Sequence, residues 1–286
     1  MKSAEKPMDK PKDESFQKLI VTEHDTFTQF SQYLGEDRVW RTDAYLVVGE
    51  RSALLYDTLA FHCGLYQAVM DRIGEMPLTV LISHGHYDHA GEALNDFLRA
   101  GVPAYMSHAD KTALYRMYGA GYFLEDFLPL HEGTTFDLGG RVLETMTVSG
   151  HSPGSTVLID RAADIVYTAD AIGAYEFQMS NGYEETSLER TLRETRTLLA
   201  ALKTMKAPQI WTGHSNMIPG GYHGRSYLEE LVRVIEDLVE GQVEGERYMR
   251  KGEPLYTTRK YDRNQVHLLY NDHRIWERSQ TRNERT

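Results

Sequence analysis

The chain has 286 residues, a hydrophobic fraction of 41% and a formal net charge of −11. This length and composition allow one large globular domain with a proper core, or two smaller ones. The negative charge argues against a general surface for nucleic acid or anionic membrane, because both partners would be repelled. The single cysteine, Cys63, excludes an intrachain disulfide framework and a metal site built from thiolates.

The first residues of the chain predict a flexible start and carry no targeting signal. Residues 1–15 are mostly charged or proline, which is typical of a disordered tail. They lack the apolar core of a signal peptide, and no apolar run approaches the roughly 20 residues of a spanning helix. We therefore expect a cytoplasmic protein with a main domain at 16–245 and a C-terminal extension at 246–286.

The first half of the domain predicts a unit of alternating strands and helices. Residues 19–21, 44–48 and 52–56 are strand-like, and the last two runs form a hairpin that ends in Asp57. Asp57 is either a turn or helix cap, or a contact behind a metal site. A helix at 64–73 precedes the apolar strand 78–82. A second helix at 91–99 and a strand at 102–106 complete a βαβ-like unit.

The second half of the domain is also predicted to contain strands and helices. A helix and covering loop at 115–130 precede the strands, which we predict at 142–148, 156–159, 165–169 and 209–212. Two amphipathic helices have candidate caps, the first from Thr186 and Glu189 and the second from Ser226 and Glu229. Residues 266–276 predict a small hairpin that turns at residues 271–272, followed by a mobile tail.

Four metal-binding side chains follow the strand at 78–82 within six residues: His84, His86, Asp88 and His89. In an extended chain His84 and His86 face the same way, whereas the next turn carries the other two toward a second point. A lone histidine is usually solvated or hydrogen-bonded. Four such groups at one strand end, however, would leave several polar heads unsatisfied without a cation. The cluster therefore predicts two neighbouring metal sites.

Three further candidate ligands follow later apolar runs: His151, Asp170 and His214. Each is flanked by small residues, the pattern of side chains carried on loops at one edge of a sheet. Imidazole and carboxylate ligands suit zinc, although iron or manganese would use the same set. We expect two divalent ions, with zinc as the first choice.

The order and spacing of these seven residues resemble those of the metallo-β-lactamase-fold hydrolases, over residues 19–239. The resemblance implies a mixed α/β (α+β) four-layer αββα sandwich, with two mixed β-sheets packed face to face, helices outside and the metals at one edge between the sheets. It also implies that His84, His86 and His151 hold one ion. Asp88, His89 and His214 would hold the other, and Asp170 would bridge the two.

This resemblance further implies an enzyme that uses a metal-bridging hydroxide, with Asp88 orienting it or carrying a proton. Asp170 favours the glyoxalase II, lactonase and phosphodiesterase branches. Our leading hypothesis is a hydrolase of a small ester-like substrate, a thioester or lactone. The alternatives are a phosphodiester hydrolase with the same site and an iron-dependent redox enzyme of the same fold.

Four more residues are candidates for lining a substrate pocket, because they lie near the metal motifs in sequence: Tyr175, Glu176, His223 and Arg225. The expected partner is a small-molecule substrate, without nucleic acid or membrane. A homodimer is left open by the sequence.

Overall fold

The computed structural model describes residues 17–112, 127–173, 177–178, 186–250 and 253–277. Within them, a first sheet has its strands in chain order: β1 (Ile20–Glu23), β2 (Thr28–Tyr33), β3 (Arg41–Val48), β4 (Ala53–Tyr56), β5 (Leu78–Leu81), β6 (Ala104–Ser107) and β7 (Phe127–Leu130). Neighbours from β1 to β4 pair antiparallel, and those from β4 to β7 pair parallel. Parallel neighbours need crossover connections. Helices α1 (Leu65–Ile73) and α2 (Leu94–Arg99) lie in the first two of them.

The second sheet is built from the later strands: β8 (Thr135–Asp137), β9 (Val142–Thr147), β10 (Thr156–Asp160), β11 (Ile165–Ala169) and β13 (Gln209–Thr212). Their order in the sheet is β13-β11-β10-β9-β8, and only β11 and β13 pair in parallel. Helix α3 (Leu188–Ala201) lies between those two strands in the chain, and α4 (Arg225–Val239) follows β13. A third, smaller sheet contains β12 (Phe177–Gln178), β14 (Glu246–Arg250), β15 (Glu253–Arg263) and β16 (Val266–Asn271).

The two large sheets pack face to face through one shared core. Tyr45 and Tyr56 of the first sheet and Tyr167 of the second are completely buried there. Two of these tyrosines also cross the interface, because Tyr45 Oη donates to the Thr212 carbonyl and Tyr56 Oη to the Thr156 carbonyl, both at 2.5 Å. Apolar packing and these hydrogen bonds together fix the position of one sheet relative to the other.

Helices cover both outer faces. The alternate residues of the first sheet, such as Leu46 and Leu55, pack with α1 and α2. Those of the second sheet, such as Val157 and Ile210, pack with α3 and α4. The predicted αββα sandwich is therefore confirmed. No helix that the structure describes is long and apolar enough to cross a membrane.

The predicted helix caps are wrong in detail. Helix α3 is capped by Ser187, whose hydroxyl accepts from the Arg190 amide, so that Thr186 lies one residue outside the cap. Helix α4 begins after Gly224 without a side-chain cap, and Ser226 lies inside its first turn. Adjacent polar residues offered several possible cap positions, and the sequence pattern alone selected a neighbouring one.

Strand β2 and the C-terminal hairpin also differ from the prediction. β2 escaped detection because Gln29 and Ser31 interrupt its apolar residues, although both are buried. The hairpin joins β15 to β16 through residues 264–265, where Asn264 has a positive φ of 55°. β16 ends at Asn271, and the chain turns there, because the Arg274 amide donates to the Asn271 carbonyl. No strand follows this turn among the described residues, so the hairpin predicted around residues 271–272 is wrong. The helix and loop expected at 115–130 lie mostly outside the described residues, and 127–130 form β7.

Candidate metal centre

The seven candidate ligands meet where strands of both sheets end. His84, His86, Asp88 and His89 follow β5 of the first sheet. The remaining three follow three different strands of the second sheet: His151 after β9, Asp170 after β11 and His214 after β13. Face-to-face packing of the sheets brings these loops to a common edge. Each ligand thus comes from a short loop that a buried strand anchors.

The ligand atoms form two groups that share one carboxylate. His84, His86, His151 and Asp170 make the first group, and the ligand atoms within it lie within 4.8 Å of one another. Asp88, His89, His214 and Asp170 make the second group by the same measure. Asp170 is therefore common to both, and the arrangement offers two adjacent positions for cations.

Individual distances show how tightly these atoms converge. His151 Nε2 lies 2.7 Å from His86 Nδ1 and 3.5 Å from Asp170 Oδ2. In the second group, His214 Nε2 lies 3.4 Å from both Asp88 Oδ2 and Asp170 Oδ2. His89 Nε2 lies 3.4 Å from Asp88 Oδ2 and 3.5 Å from Asp170 Oδ1.

Buried atoms without hydrogen bonds support a cation at this cluster. Among the described residues, His84 Nε2, His89 Nε2 and Asp170 Oδ1 are buried and have no hydrogen-bond partner. An unsatisfied buried polar atom costs about 1–3 kcal/mol, so three in one cluster need an explanation. Imidazole nitrogens and carboxylate oxygens are the usual ligands of zinc and similar ions. The residues therefore fit divalent cations.

Outer contacts orient three of the imidazoles toward the cluster. His84 Nδ1 lies 2.9 Å from the Ser83 hydroxyl, and His214 Nδ1 lies 2.7 Å from the Arg41 carbonyl oxygen. His89 Nδ1 lies 2.9 Å from Asp57 Oδ2. In each ring the other nitrogen, Nε2, is left facing the ligand group. Such contacts fix the ring orientation and raise the basicity of the ligating nitrogen.

Asp57 lies directly behind His89 and fits the second of its two predicted roles. Its Oδ1 accepts from the Ser83 amide at 2.7 Å, and its Oδ2 accepts from the Ser83 hydroxyl at 2.8 Å. The residue is 1% exposed and has a positive φ of 67°. Strained backbone of this kind persists where the surrounding structure holds it. Here the strain places one carboxylate between His89 and the strand end that carries His84.

Electrostatics differ between the two groups. In the first, burial and the neighbouring imidazoles lower the pKa of His84 well below its ordinary value. Burial and His151 likewise lower the pKa of His86 to about 3. Both rings are therefore neutral at physiological pH, which is the form that binds a metal.

In the second group, the two carboxylates favour the protonated, positively charged form of the histidines. Burial opposes protonation of His89 and His214, but the carboxylates of Asp88 and Asp170 outweigh it. The pKa of His89 rises well above its ordinary value, and that of His214 rises to about 9. The two histidines in turn outweigh burial and keep the pKa values of Asp88 and Asp170 below the ordinary range. A bound dication would supply the same compensation as these protons.

Small residues are required where the loops touch. A Cβ on Gly213 would lie 2.4 Å from His89 Cε1 and 2.5 Å from Asp170 Oδ1, closer than any such contact allows. Ala169, directly before Asp170, has a positive φ of 43°. The cluster therefore depends on the backbone between its ligands as well as on their side chains.

Sequence reasoning missed several residues around the cluster. The Trp40 ring lies edge-on to His214, with 5.7 Å between the ring centroids, and 43% of the residue is exposed. The Thr42 hydroxyl donates to the Asp88 carbonyl at 2.7 Å. Asp43 is buried, and its Oδ2 accepts from the Ser215 amide at 2.7 Å. All three lie in or just before β3, where no local sequence signal links them to the histidines.

The structure describes two of the four residues that were predicted to line a substrate pocket. Tyr175 and Glu176 lie outside the described residues. Arg225 donates to the carbonyls of Leu202 and Met205, which anchors the start of α4, and its place in a substrate pocket stays a prediction. His223 is buried and stacks on Tyr227 at 3.6 Å, and it lines a cavity of about 400 Å³ beside α4.

A family model and a solved structure both match this chain. Residues 37–212 match the family model of the Metallo-beta-lactamase superfamily. The chain also resembles a solved metallo-beta-lactamase from Pontibacter korlensis, with a TM-score of 0.60 and 17% identity over 77% of this chain and 100% of that one. At this identity the likeness shows the fold alone.

Three named relatives are 26–27% identical to this chain over 51–59% of its length. Putative transcription factor avaE of Aspergillus versicolor is 27% identical over 59% of this chain and 55% of that protein. Hydroxyacylglutathione hydrolase GloC of Haemophilus influenzae is 26% identical, over 57% and 82%. Acyl-coenzyme A thioesterase MBLAC2 of Gallus gallus is 27% identical, over 51% and 60%. The chain thus spans little more than half the length of the Aspergillus and Gallus relatives.

Proposed function

Because the chain belongs to the metallo-beta-lactamase superfamily, we propose that it is a dinuclear metal-dependent hydrolase of a small ester-like substrate, a thioester or a lactone. The observation that carries the proposal is the pair of ligand groups that share Asp170. A carboxylate between two dications reduces their mutual repulsion, and such a pair is the usual arrangement of two-metal hydrolytic sites.

The proposed ligand assignment follows the two groups. His84, His86 and His151 would hold one ion, Asp88, His89 and His214 the other, with Asp170 between them. Zinc is the first choice for this set of imidazoles and carboxylates. When bound, the ions would supply an activated water near neutral pH and a Lewis acid for the substrate carbonyl.

Asp88 is the proposed catalytic residue among these side chains. Its side chain is 24% exposed, compared with 13% for Asp170 and 12% for His214. The Asp88 carboxylate is thus the more accessible of the two and can meet a substrate at the mouth of the site. The contact of Thr42 with the Asp88 carbonyl holds the backbone of this residue in place. From there Asp88 can orient the attacking water and carry its proton to the leaving group.

Two observations favour thioesters as the substrate class. Two relatives have names that describe hydrolysis of hydroxyacylglutathione and of acyl-coenzyme A, and both of these compounds are thioesters. Trp40 presents exposed aromatic surface beside His214, which can contact the apolar part of an acyl group. We also propose that the partner of this protein is a small-molecule substrate and that the protein is cytoplasmic.

A substrate panel tests the proposal. Zinc-loaded protein is assayed with acyl thioesters, lactones and phosphodiesters, next to the variants Asp88→Asn and His86→Ala. We expect turnover of a thioester or lactone and its loss in both variants, which should keep the fold by circular dichroism. His62→Ala is the matched control, since His62 is exposed and pairs with Asp96 away from the ligands. Undiminished hydrolysis by Asp88→Asn, or turnover of phosphodiesters alone, would overturn the proposal.

A further inference from the structure

A buried carboxylate outside the ligand set lies beneath the three-histidine group. Asp110 is on a helical segment, residues 108–112, that directly follows β6, and it is completely buried. Its Oδ1 accepts a long hydrogen bond of 3.4 Å from the amide of Gly85. Gly85 is the residue between His84 and His86. Asp110 therefore contacts the backbone that spaces two candidate ligands.

The same carboxylate faces the loop of the third histidine. The Ser152 side chain and the Gly154 amide lie close enough to lower the pKa of Asp110, and both residues belong to the loop that follows His151. A Cβ on Gly154 would lie 2.4 Å from Asp110 Oδ2 and 2.2 Å from Ser107 Oγ, so the loop and the segment are in direct contact. Asp110 thus lies between the two loops that supply His84, His86 and His151.

Burial of the Asp110 carboxylate destabilises the fold. Burial raises the pKa of Asp110 to about 6, against the hydrogen bonds that lower it. Its Oδ2 has no well-aligned hydrogen-bond partner among the residues that the structure describes. A buried carboxylate that lacks hydrogen-bond partners destabilises a fold, so its presence here needs an explanation.

The second ligand group is supported by other carboxylates. Asp57 accepts from His89, and Asp43 accepts from the amide of Ser215, next to His214. Asp110 and Asp43 therefore each contact the backbone of one half, whereas Asp57 contacts both His89 and Ser83, the neighbour of His84. We propose that Asp110 is a positioning residue that sets the cation affinity of the three-histidine half, His84, His86 and His151, and leaves the other half unaffected. This inference rests on the proposed metal-binding function of the cluster.

The proposal is tested by separating the two halves in a double-mutant cycle. His214→Ala disables the second group, so that zinc affinity reports the three-histidine half, and His86→Ala does the reverse. Asp110→Asn and Asp110→Ala are introduced into both backgrounds, and zinc affinity is measured by competition with a chromogenic chelator. Contacts behind metal ligands typically contribute 10- to 100-fold in affinity. We expect zinc binding to weaken by about tenfold or more in the His214→Ala background and to stay unchanged in the His86→Ala background.

Asp43→Asn is the matched control, with the opposite pattern expected, because Asp43 supports the His214 loop. Circular dichroism and thermal unfolding of the metal-free variants check the fold. If Asp110→Ala does not fold, the isosteric Asp110→Asn decides the outcome. Equal weakening in both backgrounds, or none in either, overturns the inference. Wild-type protein that binds no zinc overturns the proposed function as well, whereas wild type that binds two ions beside unaffected Asp110 variants overturns the inference alone.

Discussion

The Oδ2 atom of Asp57 lies 2.9 Å from Nδ1 of His89, and both side chains are almost completely buried. This contact leaves His89 Nε2 facing Asp88 and Asp170, where a hydrogen bond is missing among the described residues. Asp57 also accepts two hydrogen bonds from Ser83, the neighbour of His84. One carboxylate thus orients the strand end and the second ligand group together.

Replacing Asp57 should therefore weaken metal binding. In Asp57→Ala the His89 ring loses its acceptor, and we expect zinc affinity to fall by about 10- to 100-fold. Chelator competition measures this. Asp96→Ala is the control, because Asp96 makes a comparable contact with His62 at the surface. Equal zinc affinities of Asp57→Ala and wild type would show that Asp57 serves only the turn.

Gly213→Ala should disrupt the second ligand group. The added methyl would meet the His89 ring and Asp170, so the ligands must move apart. We expect a loss of about 1–3 kcal/mol in the free energy of unfolding, which is the usual cost of overpacking, together with weaker zinc binding. Urea unfolding and a zinc titration measure the two effects. At Gly224 a methyl would meet nothing within 4 Å, so Gly224→Ala should behave nearly as wild type. Similar behaviour of both variants would contradict the tight contact at Gly213.

Trp40→Ala should act on substrate binding and leave metal content unchanged. The ring lies beside His214 and is partly exposed, so its loss removes apolar surface from the mouth of the site. We expect kcat/KM for a thioester to fall by about tenfold, which is ~1.4 kcal/mol, mainly through KM. Trp40→Phe should retain most of the activity. If Trp40→Ala loses zinc instead, then the ring supports His214 and does not contact substrate.

The pH dependence of stability should distinguish metal-free from zinc-loaded protein. Against the effect of burial, Asp170 and Asp88 raise the pKa of His214 from 6.5 to about 9. Since the folded-state pKa is the higher one, this stabilisation is fully present below pH 6.5 and is lost as the pH rises toward 9. His84 and His86 have lowered pKa values and reduce stability only below pH 6.5.

Urea unfolding between pH 6.5 and 9 measures this difference. The free energy of unfolding of chelated protein should fall across the interval, and that of zinc-loaded protein should change less, because bound cations replace the protons. A metal-free protein that is equally stable at pH 9 would contradict a protonated His214 beside Asp170.

Much of the site could be predicted because each ligand follows an apolar run. The signal is local for His84 to His89, and His151, Asp170 and His214 repeat it at three later strands. The positions of most strands in the two large sheets and the inner faces of α3 and α4 also followed from periodicity, because a buried face repeats its apolar residues at a regular spacing. These features depend on short stretches of chain.

Other features depend on contacts that no local pattern encodes. His214 lies against Trp40 and the Arg41 carbonyl, more than 170 residues earlier in the chain. The role of Asp57 could be narrowed to two choices, and only the packing of the strand ends distinguishes them. Arg225 lies near His214 in sequence, but its side chain turns to the carbonyls that follow α3.

The number of zinc ions bound by the folded chain tests the central claim most directly. Protein stripped with a chelator is titrated with zinc, and bound metal is counted per chain, for wild type and for Asp170→Ala. The two ligand groups predict two ions per wild-type chain and weaker binding of both when the shared carboxylate is removed. A folded wild-type protein that binds fewer than one ion per chain, or an Asp170→Ala variant that binds two as tightly as wild type, would contradict a dinuclear site bridged by Asp170.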